Sequence, residues 1–363
     1  MPKSIITIVG ARPQFVKAAA VSRIIKADGH FEEKILHTGQ HFDESMSAIF
    51  FSEMAIPSPH FHLHVHSLPH GAMTGRMLEG IEEHLLEEKP DAVMVYGDTN
   101  STLAGALAAA KLHIPLFHVE AGLRSFNREM PEEINRILTD RISDLLFCPT
   151  QTAWDNLLSE GFGAMPCQMV LSGDVMQDAA LFYAERAAEM PSYPASLGLD
   201  GTPFALATFH RQENTDTPEN LNGIIQALNQ LNQQIPVLAP LHPRTRKILD
   251  AANLRTEFQT SAPVGYLQMI QLLRTCSLVL TDSGGLQKEA SFFGKYCVTL
   301  REETEWVELV EGGCNTLTGA NPARILSASR HALSHPFPAI PAYYGGGQAA
   351  ENIHAAICRF FGI

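Results

Sequence analysis

Ser277-Leu278-Val279-Leu280-Thr281-Asp282-Ser283-Gly284-Gly285-Leu286-Gln287-Lys288-Glu289-Ala290 reads as an apolar run, a small polar turn and the opening of a helix. The apolar run predicts a buried strand that delivers the turn onto a helix N-terminus. Such a junction suits an anion. Ser283 is placed to cap the helix, Gly284 and Gly285 let the backbone approach a phosphate, and unpaired N–H groups and the helix dipole favour negative charge. Glu289 would repel a phosphate but can accept hydrogen bonds from neutral hydroxyls, such as those of a ribose.

The same alternation of strand and helix extends to both sides of this stretch. Residues 4–9 read as a strand ending at Gly10, and Phe15 to Ala27 as a helix with Val16, Ala20 and Ile24 on one stripe and Gly29 as its stop. Similar signals occur at 34–37, 91–112, 114–119, 144–160 and 168–187, and again at 204–208, 237–240, 278–281 and near Val298. Strands that are apolar almost throughout, alternating with amphipathic helices, indicate parallel sheets covered on both faces. The segments Met190 to Pro194 and Gly198 to Gly201 look like a connection between domains, and Pro336 to Gly347 like a second crossing. The expected fold is α/β, with two Rossmann-like doubly wound domains facing a cleft. Residues 1–188 and a final helix at 348–363 form one domain, and 200–345 the other.

Composition agrees with that frame and excludes several classes. The 363 residues predict about two domains, 45% are hydrophobic and 18% charged, and no apolar run approaches a membrane span. The strand at the start leaves no export signal to read, so a cytoplasmic location is expected. Six scattered cysteines without a Cys-x-x-Cys pair read as reduced core residues, not metal ligands. A formal charge of -13 argues against nucleic acid and requires local positive groups to hold any anionic ligand.

Polar clusters fall where strands end: Arg12 after the first, Gly97-Asp98-Thr99-Asn100, His118 and Glu120, His210-Arg211-Gln212-Glu213-Asn214, and His242-Pro243-Arg244. Ligands of doubly wound sheets bind outside the carboxyl ends of the strands, so these clusters are the candidate site. Bland roles compete for some of them. Asp98 can cap the following helix, Glu132 and Glu133 can be ordinary first-turn acids, and His210 can be a core histidine. His60, His62, His64, His66 and His70 alternate with Phe61, Leu63 and Val65, which predicts imidazoles on one face of a strand. With no carboxylate or cysteine completing a ligand set, they read as a polar face rather than a metal centre.

Gly10-Ala11-Arg12-Pro13, Thr38-Gly39-Gln40-His41, Gly97 to Gly105, His118-Val119-Glu120-Ala121-Gly122-Leu123-Arg124, Pro131-Glu132-Glu133-Ile134-Asn135-Arg136, His210 to Asn214 and Thr281 to Gly285 occur in an order that resembles the non-hydrolysing UDP-N-acetylglucosamine 2-epimerases. The resemblance covers nearly the whole chain. It implies a glycosyltransferase-B-like fold, a homodimer, a UDP-2-acetamido sugar substrate and no cofactor. It also implies catalytic roles for Asp98, Glu120, Glu132 and His210. Arg12, Lys17, Arg211, His242, Ser283, Gly284, Gly285, Glu289 and Arg301 are implied to bind substrate and UDP, and Gln40 and Arg76 to belong to a regulatory substrate site. Asp43 departs from the glutamine usual after the Gln40-His41 pair.

The chemistry implied by the resemblance explains the residue types. UDP leaves C1 as a proton leaves C2, giving a 2-acetamidoglycal, and UDP adds back as a proton arrives on the other face. Two faces call for several proton-handling carboxylates, and the leaving pyrophosphate calls for positive charge. No Gly-x-Gly-x-x-Gly follows the first strand, which argues against NAD. Gln14, where most members have glutamate, and Trp306-Val307, where they have Arg-Pro, resemble a subgroup acting on UDP-2,3-diacetamido-2,3-dideoxyglucuronate. A hydrolysing epimerase, a glycosyltransferase and a non-catalytic UDP-sugar sensor remain alternatives at this point, because fold alone does not separate them.

Overall fold

The computed structural model describes residues 2–40, 58–339 and 341–363. His41 and Asp43 therefore lie outside the described residues, as does the side chain of Arg12. The chain divides into two compact units, Met1–Ala179 with Ala342–Ile363, and Ala180–Pro341.

In the first unit β1 (Lys3–Val9), β2 (Phe31–His37), β3 (Phe61–His62), β4 (Ala92–Tyr96), β5 (Leu116–Val119), β6 (Leu145–Cys148) and β7 (Gln168–Leu171) form one seven-stranded sheet in the order β3-β2-β1-β4-β5-β6-β7. All its pairings are parallel. The centre of the sheet is apolar on both faces, as its covering requires: every residue of β4, Ala-Val-Met-Val-Tyr, is buried. Ile6, Ile8, Val93 and Val95 pack with Met77 and Ile81 of the helix His70–Glu88 and Ala104 and Ala108 of Asn100–Lys111. Asn100–Lys111 is rich in alanine, which favours helix, and Thr99 caps it by accepting a hydrogen bond from the Thr102 N–H. The helix Ala349–Phe361 belongs to this unit and sets Phe360 edge-on against Phe117 of β5 at 5.2 Å.

The second unit repeats the plan. Strands β8 (Ala205–Thr208), β9 (Val237–Pro240), β10 (Gln259–Ser261), β11 (Leu278–Thr281), β12 (Cys297–Thr299) and β13 (Asn315–Leu317) form a parallel sheet in the order β10-β9-β8-β11-β12-β13. One cluster of its core contains Ala205, Ala207, Leu278 and Leu280, and another contains Leu206, Leu238, Val279 and Cys297. Alternate residues of one strand therefore feed separate apolar layers.

Each sheet reverses its winding next to its first strand, between β1 and β4 in one and between β8 and β11 in the other. Loops leaving neighbouring strands diverge there, which opens a crevice at the carboxyl ends. Gly10–Ala11 and Gly97–Asp98 leave the first such point, and Phe209–Arg211 and Asp282–Ser283 leave the second. Strands β10 and β13 were not anticipated. Both are sheet edges of three residues, too short to carry a periodic signal. The alternating histidines also depart from expectation, because only Phe61–His62 is strand and His64 turns into the left-handed region at φ 53°.

Candidate active site

In the first unit the candidate groups gather at the end of β4 and β5. Lys17, on the helix Arg12–Asp28, forms an ion pair with Glu120, and their side chains are only 11% and 9% exposed. A Cβ on Gly97 would lie 3.2 Å from Glu120 Oε2 and 3.3 Å from Lys17 Nζ, so the pair sits directly over the Gly97–Asp98 turn, with Gly97 at φ 63°. Glu120 itself adopts φ 75°. That left-handed conformation costs a residue with a Cβ roughly 1–2 kcal/mol and is retained where a surrounding network imposes it.

The network is buried. Imidazole His118 bonds through Nδ1 to Asp140 Oδ1 at 2.7 Å and through Nε2 to the Gly97 carbonyl at 2.8 Å. Asp140 also accepts from Arg124 Nη1 at 2.7 Å and from the Gly122 N–H at 3.2 Å, while Arg124 forks onto Glu160 at 2.6 and 2.8 Å. His118 and Asp140 are completely buried, so this chain fixes the backbone on both sides of Glu120 without reaching the crevice. Asp140 had no role in the sequence reading; its signal was its place one helix turn beyond Arg136, facing the core.

Asp98 does not cap the next helix, since Thr99 does. Its carboxylate instead meets Arg136 Nη2 at 2.6 Å, and its carbonyl accepts from Asn135 Nδ2 at 2.9 Å. Desolvation raises the Asp98 carboxyl above its ordinary range; Arg136 and Lys17 oppose this, while Glu120 and Glu132 reinforce it. Glu132 is exposed in the first turn of Pro131–Ile142, whereas Glu133 is buried and accepts from the Ser125 and Phe126 N–H groups at 2.9 and 3.0 Å. The adjacent acids thus divide into one open to the surface and one that holds a loop.

In the second unit the site is organised by Asp282, fully buried at the end of β11. It accepts from the backbone N–H of His210 at 2.9 Å, from that of Arg211 at 3.0 Å and from Asn214 Nδ2 at 3.0 Å. The loop after β8 is thereby tied to the turn after β11. His210 is exposed, with Nδ1 3.5 Å from Asp282 Oδ1, so the core-histidine reading fails. Arg211 lies 3.9 Å from Glu213. His242 starts the helix Pro243–Ala251, and its Nδ1 accepts the Arg244 N–H at 3.2 Å. Its other nitrogen, Nε2, then carries the ring proton in the neutral form.

Ser283 occupies the N-cap position of Gly284–Phe292, but its side chain makes no capping bond, contrary to the sequence reading. The turn is secured from behind instead, by the Ser283 N–H donating to Thr281 Oγ1 at 2.9 Å. Gly284 and Gly285 are both helical, without the positive φ found at many other glycines of the chain, and a Cβ on Gly285 would meet nothing within 4 Å. Neither the backbone conformation nor the packing demands glycine there. Glu289 is buried and accepts from the Tyr266 hydroxyl at 3.0 Å. Arg301 pairs with Glu305 at 3.1 Å; desolvation opposes ionisation of Glu305, but Arg301, a backbone N–H and Arg211 together outweigh it and hold the carboxyl below its ordinary range.

The remaining positions lie apart from these groups or serve the fold. Gln40 Oε1 accepts from the Ser101 N–H at 3.0 Å and Oγ at 2.7 Å, and Arg76 is exposed beside Glu79. His37, His62 and His64 stack in a row with centroids 5.3 and 5.5 Å apart. Of the six cysteines, Cys148, Cys276, Cys297 and Cys314 are buried as expected, but Cys167 and Cys358 are only partly so.

Residues 23–358 match the UDP-N-acetylglucosamine 2-epimerase family. The UDP-2,3-diacetamido-2,3-dideoxy-D-glucuronate 2-epimerase of Pseudomonas aeruginosa is 56% identical over 96% of this chain and 98% of its own. The chain belongs to the UDP-N-acetylglucosamine 2-epimerase family. It is an isomerase. The UDP-N-acetylglucosamine 2-epimerase of Methanocaldococcus jannaschii is 41% identical over 95% of this chain and 96% of its own. A crystal structure of that enzyme with UDP-GlcNAc and UDP superposes with a TM-score of 0.86 at 39% identity, covering 99% of this chain and 100% of the other. One from Neisseria meningitidis bound to UDP-GlcNAc gives 0.86 at 28% identity, covering 98% and 100%. The two Rossmann-like units are thus of the glycosyltransferase-B-like type expected.

Two departures from the usual epimerase pattern acquire a different meaning in the structure. Gln14 is 1% exposed, and its amide is fully used: Oε1 accepts from the Gly10 and Ala11 N–H groups at 2.8 and 2.9 Å, and Nε2 donates to the Tyr96 carbonyl at 2.7 Å and to Thr102 Oγ1 at 3.0 Å. It joins the loop after β1 to the end of β4, so its neutrality is required first by the Tyr96 carbonyl. Trp306 is buried, donates from Nε1 to the Gly284 carbonyl at 3.0 Å and carries Lys288 Nζ 4.0 Å from its ring centroid. It braces the helix Gly284–Phe292.

Proposed function

We propose that this epimerase inverts C2 of a UDP-2-acetamido sugar by elimination and re-addition of UDP, with the residues on the first unit handling the protons. The observation that carries the proposal is the Lys17–Glu120 pair held over Gly97 beside Asp98, with Glu120 in a left-handed conformation flanked by the buried His118–Asp140–Arg124 network. Glu120, held in its ion pair with Lys17, is proposed to take the proton. Asp98, with its raised proton affinity, is suited to holding one. In the forward direction the C2–H pair becomes the C1–C2 double bond as the C1–O bond breaks and its electrons leave with UDP. Return of UDP and delivery of a proton to the opposite face complete the inversion. Glu132 and His210 are proposed as accessory proton or orienting groups.

The nucleotide is assigned to the second unit. Ser283, whose hydroxyl caps nothing within the protein, and the open Gly284–Gly285 backbone receive phosphate, while Arg211, His242 and Arg301 supply positive or hydrogen-bonding groups and Glu289 meets the ribose. Arg12 and Lys17, on the first unit, are also proposed to bind substrate, and the protein is proposed to act as a homodimer. The preferred sugar is proposed to be UDP-2,3-diacetamido-2,3-dideoxyglucuronate, on the strength of the 56% identity to the Pseudomonas aeruginosa enzyme.

Turnover in deuterium oxide should place solvent deuterium at C2 of the product; product retaining only protium there rules out the mechanism. A competition between the uronate and UDP-N-acetylglucosamine tests the sugar. Equal or higher kcat/KM for UDP-N-acetylglucosamine overturns that assignment and leaves the mechanism standing.

A further inference from the structure

At the end of its first helix the chain places three potential metal ligands together and a fourth beside two of them, away from the candidate active site. The helix Arg12–Asp28 ends at Gly29 in the left-handed conformation, φ 76°, and this reversal brings His30 back so that its Nδ1 lies 2.6 Å from Asp28 Oδ2. The helix Ala349–Phe361 contributes His354 and Cys358, four residues apart and hence on one face. His354 Nε2 lies 3.1 Å from the same Asp28 oxygen and 3.7 Å from Cys358 Sγ. Donor atoms of Asp28, His30 and Cys358 all fall within 4.8 Å of one another.

We propose that Asp28, His30, His354 and Cys358 form a zinc site that clips the C-terminal helix to the end of the first helix. Tetrahedral zinc holds its ligands at ~2.0–2.3 Å, which puts neighbouring donor atoms roughly 3.3–3.8 Å apart. The His354–Cys358 separation already has that value, and the closer Asp28 contacts open by side-chain rotation, since Asp28 and His30 are exposed. Two imidazoles, one carboxylate and one thiolate are a borderline donor set that selects zinc over magnesium or calcium. Phe31 packs edge-on against His354 at 5.7 Å and fixes its ring plane. As the Zn–S bond forms, the Cys358 thiol gives its proton to solvent. The sequence reading set metal aside because the histidines of residues 60–70 lack a complementary carboxylate or cysteine and the cysteines are scattered; this set is assembled from opposite ends of the chain.

Full-length, metal-stripped protein titrated with Co²⁺ should bind one ion per chain with a thiolate-to-metal charge-transfer band and tetrahedral d–d absorption, both bleached by Zn²⁺. Zn²⁺ alone should raise the melting temperature. Cys358→Ser should abolish the charge-transfer band and weaken Zn²⁺ by at least the ~10–100-fold typical of losing even an outer-shell partner. Cys167→Ser, which alters the other partly exposed thiol, should leave both unchanged. Asp28→Asn, at an exposed position that folding tolerates, should weaken Zn²⁺ similarly. The proposal is overturned by absence of stoichiometric binding, by a bound Co²⁺ without the thiolate band, or by a band that survives Cys358→Ser.

Discussion

Replacing Glu120 by alanine and by glycine separates the two energies stored at that position. Both changes leave Lys17 without its carboxylate in a pair whose side chains are 11% and 9% exposed, a loss of ~3–5 kcal/mol that the variants share. They differ only in the Cβ. At φ 75° a Cβ costs ~1–2 kcal/mol, whereas the extra freedom of glycine in the unfolded chain costs ~0.4–1 kcal/mol. The glycine variant should therefore be the more stable by about 0.5–1 kcal/mol, or ~1–4 °C in melting temperature of the first unit. At an ordinary helical position, such as exposed Glu79, the order reverses, and that pair of variants is the internal control. Thermal unfolding followed by circular dichroism, without nucleotide, measures both pairs. An alanine variant as stable as the glycine one refutes the claim that backbone strain is held at Glu120. Turnover should fall in both by on the order of 10²–10⁴, since neither carries a carboxylate.

Other consequences are open to direct measurement. The raised proton affinity of Asp98 means that its contribution to stability is present below pH ~4 and is lost as pH rises through its folded value, so Asp98→Asn should gain stability relative to the parent across that window in urea unfolding. Burial, with His62 and His64 nearby, lowers His37 to about 4; NMR should show that midpoint, and His37→Gln should flatten the loss of stability as pH falls from about 6.5 toward 4. Ser283→Ala should change stability by less than ~0.5 kcal/mol because no cap bond is lost, yet calorimetry should show weakened UDP binding; unchanged affinity would remove the hydroxyl from the nucleotide site.

The sequence disclosed the architecture because its central strands are apolar almost throughout and run into small turns, as at Ile5–Val9 before Gly10 and Leu278–Thr281 before the Ser283 turn. Edge strands such as Gln259–Ser261 have too few residues and too much exposure to do the same. The candidate site was legible as positions but not as roles. Asp282 and Asp140, quoted or passed over as chain, proved to be buried organisers, because the partners that neutralise them arrive from residues 210–214 and 118–124. Gln14 and Trp306 invited a reading in terms of substrate charge; their hydrogen bonds to Tyr96 and Gly284 are made across the fold and leave no local signal.

The helix Ala349–Phe361 gives the first unit an order of assembly. Its buried face, Ala349, Ala350, Ile353, Ala356 and Ile357, completes a layer whose other parts are among the earliest residues of the chain. During synthesis the second unit, continuous from Ala180 to Pro341, can finish folding while the first still exposes the groove that this helix will fill. The unit that carries Asp98 and Glu120 is thus begun first and closed last, and an epimerase truncated within its final helix should lose the first unit's cooperativity while leaving the second unit's unfolding transition in place.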